Sequence, residues 1–240
     1  MTTTLWNGSW RGRAPSGEPH TRSRQVISPS GGIMRSKFPS RKNGRLVHCE
    51  GILELDAAYL LELHPRVSRY REQPAAIMYP DGDRLRRYTP DFEVDLASGA
   101  TVLVEVKPEA SMLDAEVKDR LAKVGAHMRR SGQSFVVLTD AELRREPRQS
   151  NARTISRKAL RIPPSYAAAK VAVRKLSAVL PVSLGVASAL CGSERLNPFS
   201  LLQLGLLRCD LDAPLGDDSQ IDLAPEADDG WLCLSQEHDF

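Results

Sequence analysis

The stretch from Tyr88 to Lys107 reads Tyr-Thr-Pro-Asp-Phe-Glu-Val-Asp-Leu-Ala-Ser-Gly-Ala-Thr-Val-Leu-Val-Glu-Val-Lys, and it constrains the fold more than any other segment. Phe92, Val94 and Leu96 alternate with polar residues, and Val102, Val104 and Val106 do the same. Alternation with period two marks a half-buried strand. Two such runs flanking a glycine mark a hairpin, whose apolar sets belong on one buried face. Pairing Val94 with Val102 achieves this. It leaves Ala97-Ser98-Gly99 as the loop, with Gly99 in the left-handed position that such loops favour. In this register Asp91 faces Glu105, with Cβ atoms about 5 Å apart. Lys107 follows on the same face, about 6.6 Å further along the strand.

Two carboxylates that close repel each other. A divalent cation between them removes the repulsion, and hard carboxylate oxygens suit Mg²⁺. Lys107 adds a compact positive charge that serves to hold or activate a water, or to offset charge on a phosphate oxygen. The pattern is that of a metal-dependent phosphodiester hydrolysis site. The plainer account is an exposed polar hairpin face on which charges fall by chance. A helix predicted over Glu50–Leu63 carries an apolar stripe of Ile52, Leu55, Tyr59, Leu60 and Leu63, and Pro65 stops it. Glu54 lies off that stripe, on the face of Ala58 and Leu61, with Glu50 one turn earlier. Spacing alone leaves open which of the two reaches the Asp91/Glu105 pair, and ordinary surface placement is open for both.

Further patterns divide the chain. Residues 1–46 read as an irregular basic arm rich in Gly, Pro, Ser and Arg. Residues 47–146 read as one α/β domain. After its first helix come strands at Val67–Glu72, Ala75–Tyr79 and Arg84–Tyr88, then the hairpin. A helix over Leu113–Arg130, a buried strand at Ser134–Thr139 and a short helix at Asp140–Arg145 complete it. Residues 147–165 read as a basic linker. Residues 166–223 read as a helical or winged-helix-like domain with helices over Tyr166–Leu180, Leu184–Leu190 and Pro198–Leu207, a polar break at 192–194, and extended pieces at Leu206–Leu211 and Gln220–Leu223. Residues 224–240 read as an acidic tail.

The net charge of +3 conceals an asymmetry. Residues 1–45 hold nine Lys/Arg and one acid, 147–175 hold eight Lys/Arg and no acid, and 210–240 hold ten acids and no Lys/Arg. Basic segments around a mildly acidic centre suit an enzyme that holds a polyanion beside carboxylates, though solvated tails look the same. The longest apolar stretch, near Ala178–Cys191, is interrupted by Pro181 and Gly185 and is too short for a bilayer. The opening MTTTLWNGSWRGR has no apolar core, so no signal peptide is expected. The four cysteines form no close pairs, which fits a reducing cytosol and argues against structural zinc. The five histidines are scattered, and neither a Walker lysine nor a dinucleotide glycine motif occurs.

Five segments in order carry a family resemblance. They are Phe38-Pro39-Ser40-Arg41-Lys42, Cys49-Glu50-Gly51-Ile52-Leu53-Glu54-Leu55-Asp56, Arg71-Glu72-Gln73-Pro74, Arg87-Tyr88-Thr89-Pro90-Asp91-Phe92 and Val104-Glu105-Val106-Lys107-Pro108. From Lys37 through the strand at Phe135–Asp140, the chain resembles the catalytic domain of TnsA-type transposase endonucleases, of the PD-(D/E)XK, restriction-endonuclease-like superfamily. The remainder resembles the family's winged-helix-like part loosely. The resemblance implies an α/β fold with a mixed sheet flanked by helices. It places the helix acid at Glu54 rather than Glu50, the strand acid at Asp91, and the last pair at Glu105 and Lys107. Gly51 departs from the Ser often found there.

The same resemblance implies a Mg²⁺-dependent endonuclease, with Mn²⁺ able to substitute, and Glu54, Asp91 and Glu105 as metal ligands. It implies double-stranded DNA at transposon ends as substrate, and a DDE-type transposase and an AAA+ ATPase regulator as partners. The expected setting is cytoplasmic, bacterial and DNA-associated, with no membrane. Two other readings of the same residues are a stand-alone restriction or defence nuclease and a non-catalytic DNA-binding adaptor. The Glu72-Gln73-Pro74 turn is expected to be structural rather than a DNA contact. Arg84, Arg86 and Arg87 are expected either to touch phosphates or to be solvated.

Overall fold

Valine-rich alternation builds the central sheet. In a computed structural model, which describes residues 20–23, 36–160, 162, 164–192, 196–224, 232–238 and 240, the hairpin forms from β6 (Phe92–Leu96) and β7 (Thr101–Lys107); the strands before β6 are numbered β1–β5. Its register is as expected: Val94 opposes Val102 and Phe92 opposes Val104. Gly99 has φ 87°, and its N–H donates to the Leu96 carbonyl at 3.0 Å. Phe92, Val94, Val102 and Val104 are buried. β3 (Val67–Glu72) pairs antiparallel with β6, and β8 (Ser134–Thr139) pairs parallel with β7. The result is a four-stranded mixed sheet in the order β3-β6-β7-β8. The expected mixed α/β architecture of restriction-endonuclease-like type is therefore present.

A parallel pair needs a crossover, and α2 (Ala115–Arg130) supplies it. Asp114 caps this helix by accepting from the N–H of Glu116 and Val117. Gly132, with φ 69°, ends it. Leu121, Val124 and Met128 of α2 pack with Leu103, Tyr79 and Tyr88 in one core cluster. The two tyrosines belong to a separate two-stranded sheet, β4 (Ile77–Asp81) and β5 (Arg84–Tyr88). A 3₁₀ turn at Glu109–Leu113 precedes α2, and the short α3 (Asp140–Leu143) follows β8.

The structure departs from several expectations. The arm assigned to 1–46 is not irregular throughout: β1 (Ser36–Ser40) and β2 (Arg45–Cys49) form an antiparallel hairpin that turns at Gly44. Alternate residues Phe38, Val47 and Cys49 bury one face of it. Residues 1–19 and 24–35 of that arm, the opening MTTTLWNGSWRGR among them, lie outside the described residues. The first helix, α1 (Ile52–Leu63), has no single stripe. Ile52 is 42% exposed, whereas Ala57, Ala58, Leu60, Leu61, Asp56 and Glu62 are all buried. A helix buried nearly all round carries no amphipathic signal to read. β8 is half-buried along most of its length and lies at the edge of the sheet.

The chain divides into two compact units. The first comprises 1–58, 66–143 and 234–239; the second comprises 59–65, 144–233 and 240. In the second unit, the expected linker at 147–165 is largely a helix, α4 (Arg148–Lys158). Its basic residues hide a buried side: Gln149, Asn151, Ala152 and Ile155. Asn151 Nδ2 donates to the carbonyls of Leu211 and Ala213 at 2.9 and 2.8 Å, and its Oδ1 accepts from the Leu215 N–H at 3.2 Å. Next come α5 (Tyr166–Leu176), β9 (Val182–Ser183), α6 (Leu184–Gly192), α7 (Pro198–Gln203), β10 (Leu207–Cys209) and β11 (Gln220–Leu223). The three strands form an antiparallel sheet ordered β10-β11-β9. This unit therefore holds, after α4, a helix, a strand, two helices and a strand pair in that order. The polar break at 192–194 falls mostly on residues outside the description, as do 225–231 and 239 of the acidic tail. Among the described residues no helix is long and apolar enough to cross a membrane.

Candidate active site

The β6–β7 register carries Asp91 to a position across from Glu105. Asp91 is 5% exposed and Glu105 3%, unusual burial for two acids. Asp91 Oδ2 accepts from the backbone N–H of Val106 at 2.8 Å. The Asp91 carbonyl accepts from the N–H of Gln73 at 2.9 Å, so the residue is tied down at both ends. Lys107 Nζ stands 2.5 Å from Glu105 Oε1. Glu105 Oε2 is buried without a hydrogen-bond partner.

Electrostatics follow from this crowding. Burial raises the Asp91 carboxyl well above the usual carboxylate range, and the charges of Glu105 and Glu54 raise it further. The Lys107 charge and the Val106 N–H oppose that rise. For Lys107, burial acts against the ammonium, but the charges of Glu105 and Asp91 outweigh it and the net shift is upward. Lys107 is therefore a persistent cation rather than a proton acceptor.

Glu54 sits in the first turn of α1, and its charge is felt at both Asp91 and Cys49. Its Oε2 accepts at 2.9 Å from the backbone N–H of Glu50, the residue just before the helix N-cap Gly51. Glu54 is thus near the pair while satisfying the helix entrance. Among the described residues, no group of three or more His, Cys, Asp or Glu side chains is arranged to hold a metal ion. The structure brings Asp91, Glu105 and Lys107 together and places Glu54 within electrostatic reach of Asp91.

The Glu72-Gln73-Pro74 turn is structural. Glu72 is buried; Arg45 Nη1 donates to its Oε1 at 2.9 Å, and Arg45 Nη2 lies 2.8 Å from its Oε2. The N–H of His48 also donates to Oε1, and His20 Nε2 meets the Glu72 carbonyl at 2.5 Å. Gln73 adopts φ 47°, a left-handed conformation that aims its N–H at Asp91. Sequence reasoning placed no role on Gln73 as an anchor of Asp91, nor on Arg45 as the partner of Glu72; these partners lie too far along the chain for any local pattern to show.

Tyr88 was also missed. It ends β5, three residues before Asp91, with its ring edge-on to Tyr79 and Phe135 at 6.3 and 6.2 Å. Its hydroxyl is buried close to the Glu105 carboxylate, and burial together with the Glu105 charge pushes the phenol far up. The strand-end position before a Pro-Asp pair was the only available signal.

Residues 64–140 match the family model described as TnsA-like endonuclease N terminal. The chain carries a TnsA-like endonuclease domain. The matched stretch contains Asp91, Glu105 and Lys107, and Glu54 precedes it. No curated protein matches the chain. The TnsA-like domain thus includes both the buried acid pair and the lysine beside it.

The second unit has a buried last helix and an acidic connection between its last two strands. Residues Pro198–Gln203 of α7 are buried throughout. The β10–β11 connection carries Asp210, Asp212, Asp217 and Asp218. Its exposed apolar residues lie elsewhere, with Val171 on α5 and Val186 and Leu190 on α6. A cavity of about 220 Å³ opens there between Ala172, Leu176, Val179, Leu190 and Cys191, with Lys175 at its edge.

Proposed function

We propose that this chain is the Mg²⁺-dependent DNA endonuclease subunit of a heteromeric cut-and-paste transposase, hydrolysing phosphodiester bonds at the 5′ ends of the transposon. The observation that carries the reading is the buried Asp91/Glu105 pair with Lys107 against it, inside a TnsA-like domain. The donor set fits a hard dication. Glu105 Oε2 is a buried acceptor without a partner. Burial and two neighbouring acids also raise the Asp91 carboxyl, a penalty on its charged form that a bound cation relieves.

Asp91 and Glu105 would hold the metal, with Glu54 completing the set once its carboxylate exchanges the Glu50 N–H for the ion. Mn²⁺ would substitute. The bound ion supplies charge stabilisation for the attacking and leaving oxygens of an in-line displacement. Lys107 remains an ammonium; it orients Glu105 and presents a positive charge to a phosphate oxygen or an attacking water. The Val106 N–H and the Gln73 N–H fix the carboxylate and backbone of Asp91.

Double-stranded DNA at the transposon ends is the proposed substrate. A DDE-type transposase would cut and join the opposite strand, and an AAA+ ATPase would regulate both. The apolar surface of α5 and α6 supports a protein-docking role for the second unit. The proposed setting is the bacterial cytoplasm. The test incubates purified chain and DDE partner with end-containing DNA and Mg²⁺. Strand-specific nicking that Asp91→Ala abolishes is expected; equal nicking by both proteins rejects the assignment.

A further inference from the structure

Glu105 lies on the face of the sheet that α2 covers. Alternate residues of a strand share a face, so Leu103, Glu105 and Lys107 of β7 point the same way. Phe135, Val137 and Thr139 of β8 stand in register beside them. Leu103, Phe135 and Val137 pack into the cluster that α2 closes with Leu121, Val124 and Met128. The buried Glu105 carboxylate therefore stands at the border of an apolar core, between Leu103 and Lys107. A carboxylate in such a place needs donors. Lys107 supplies one, at Oε1.

Tyr88 reaches the same place from the end of β5. Its ring belongs to that cluster and stands edge-on to Phe135 at 6.2 Å and to Tyr79 at 6.3 Å, with interplanar angles of 75° and 89°. Rings on two sides thus fix the direction in which the phenol points. The hydroxyl it carries is buried and close to the Glu105 carboxylate. A buried tyrosine hydroxyl is costly unless the O–H finds an acceptor, and phenylalanine would fill the same ring site without that cost. A phenol is protonated at neutral pH and donates. The acceptor beside this one is the second acid of the candidate active site.

We propose that Tyr88 is a positioning residue for Glu105: its O–H donates to the Glu105 carboxylate and, with Lys107 at Oε1, fixes the plane in which that carboxylate meets a hard divalent cation. The inference deepens the metal-dependent cleavage proposed above and rests on it for the ion. A carboxylate offers about four lone-pair positions. Two donors from the protein set its rotation and leave the other positions for the ion. A carboxylate without them would have to be ordered by the ion itself, which weakens binding. In this role Tyr88 touches neither the ion nor DNA and acts only through Glu105.

The experiment uses the full chain. Tyr88→Phe keeps the ring and deletes the O–H; Tyr79→Phe makes the same deletion on the neighbouring ring and is the control. Calorimetry reads Mn²⁺ binding. Tyr88→Phe is expected to bind about 10–100-fold more weakly, the loss typical of a missing outer-shell partner, and Tyr79→Phe to bind as wild type does. Melting midpoints in EDTA give a second readout that needs no metal. Tyr88→Phe should lower the midpoint by a few degrees where Glu105 is present and should not lower it in a Glu105→Ala background, where the acceptor is gone.

An equal drop in both backgrounds overturns the proposal, because a hydroxyl that merely packs does not sense Glu105. Mn²⁺ binding by Tyr88→Phe that equals wild type also overturns it, and leaves the metal-dependent reading standing. A chain that binds no Mn²⁺ yet shows the Glu105-dependent midpoint upholds the positioning of Glu105 by Tyr88 while the metal-dependent reading falls.

Discussion

The backbone N–H of Gln73 donates to the carbonyl of Asp91 at 2.9 Å, and Gln73 reaches it only by adopting φ 47°. The proposed catalytic acid is thus placed by a strained residue just past the end of β3. Gln73→Gly keeps the N–H and suits the left-handed conformation, so cleavage should persist. Gln73→Pro has the wrong φ and lacks the donor. It should cost about 3 kcal/mol or more and abolish nicking. Urea midpoints and nicking rates of the two variants, compared side by side, check this.

Asp91 should trade stability for function. Its folded carboxyl titrates above the unfolded value because it is buried beside Glu105 and Glu54. Between those two values the folded state binds more protons than the unfolded state. In EDTA, Asp91's contribution to stability is therefore fully present below its unfolded value of about 3.9 and is lost as pH rises through its folded value. Asp91→Asn removes the charge and should raise stability at pH 7 by about 1–3 kcal/mol while ending cleavage. Denaturation in EDTA across pH, with wild type minus variant as the readout, tests the sign. A variant less stable than wild type at pH 7 contradicts it.

Glu54 is expected to separate its helix-entrance bond from chemistry. Glu54→Gln retains an oxygen for the Glu50 N–H, so stability should change little. Cleavage should nevertheless fall at least about 100-fold, because a neutral amide is a poor ligand for a hard dication. Glu54→Ala should lose that bond as well, at about 1 kcal/mol. Calorimetric Mn²⁺ binding to both variants, beside thermal melts, resolves the two effects.

Asn151 should matter far from any chemistry. Its amide joins three backbone groups between Leu211 and Leu215, and all three are orphaned in Asn151→Ala. A loss of about 2–4 kcal/mol is expected in the second unit. Hydrogen exchange of the Leu215 amide should report it directly.

Local patterns carried much of the nuclease unit. The Val94–Val102 register, the left-handed Gly99 and the exact spans of β3, β5 and β7 all follow from alternation and turn chemistry, which act over a few residues. What escaped was polar burial. Arg45 looked like one charge in a basic arm, yet it is buried because Glu72, remote in sequence, receives it. Arg148–Lys158 looked like a solvated linker because the buried role of Asn151 depends on carbonyls some sixty residues away. α1 gave a misleading stripe because tertiary packing buries Asp56 and Glu62 along with the leucines. The carboxylate pair was legible from strand register, whereas the orientation of Glu54 depends on a helix-entrance bond that spacing does not encode.

β7 has an antiparallel neighbour on one side and a parallel neighbour on the other. The strand bearing Glu105 and Lys107 is therefore never an edge. Its amides exchange with solvent only when the surrounding ladder parts, so the acid and the amine are scaffolded by the slowest-opening portion of the sheet. Thermal breathing elsewhere in the domain leaves their spacing intact, and a partly melted molecule would keep this half of its cutting apparatus until the sheet itself dissolves.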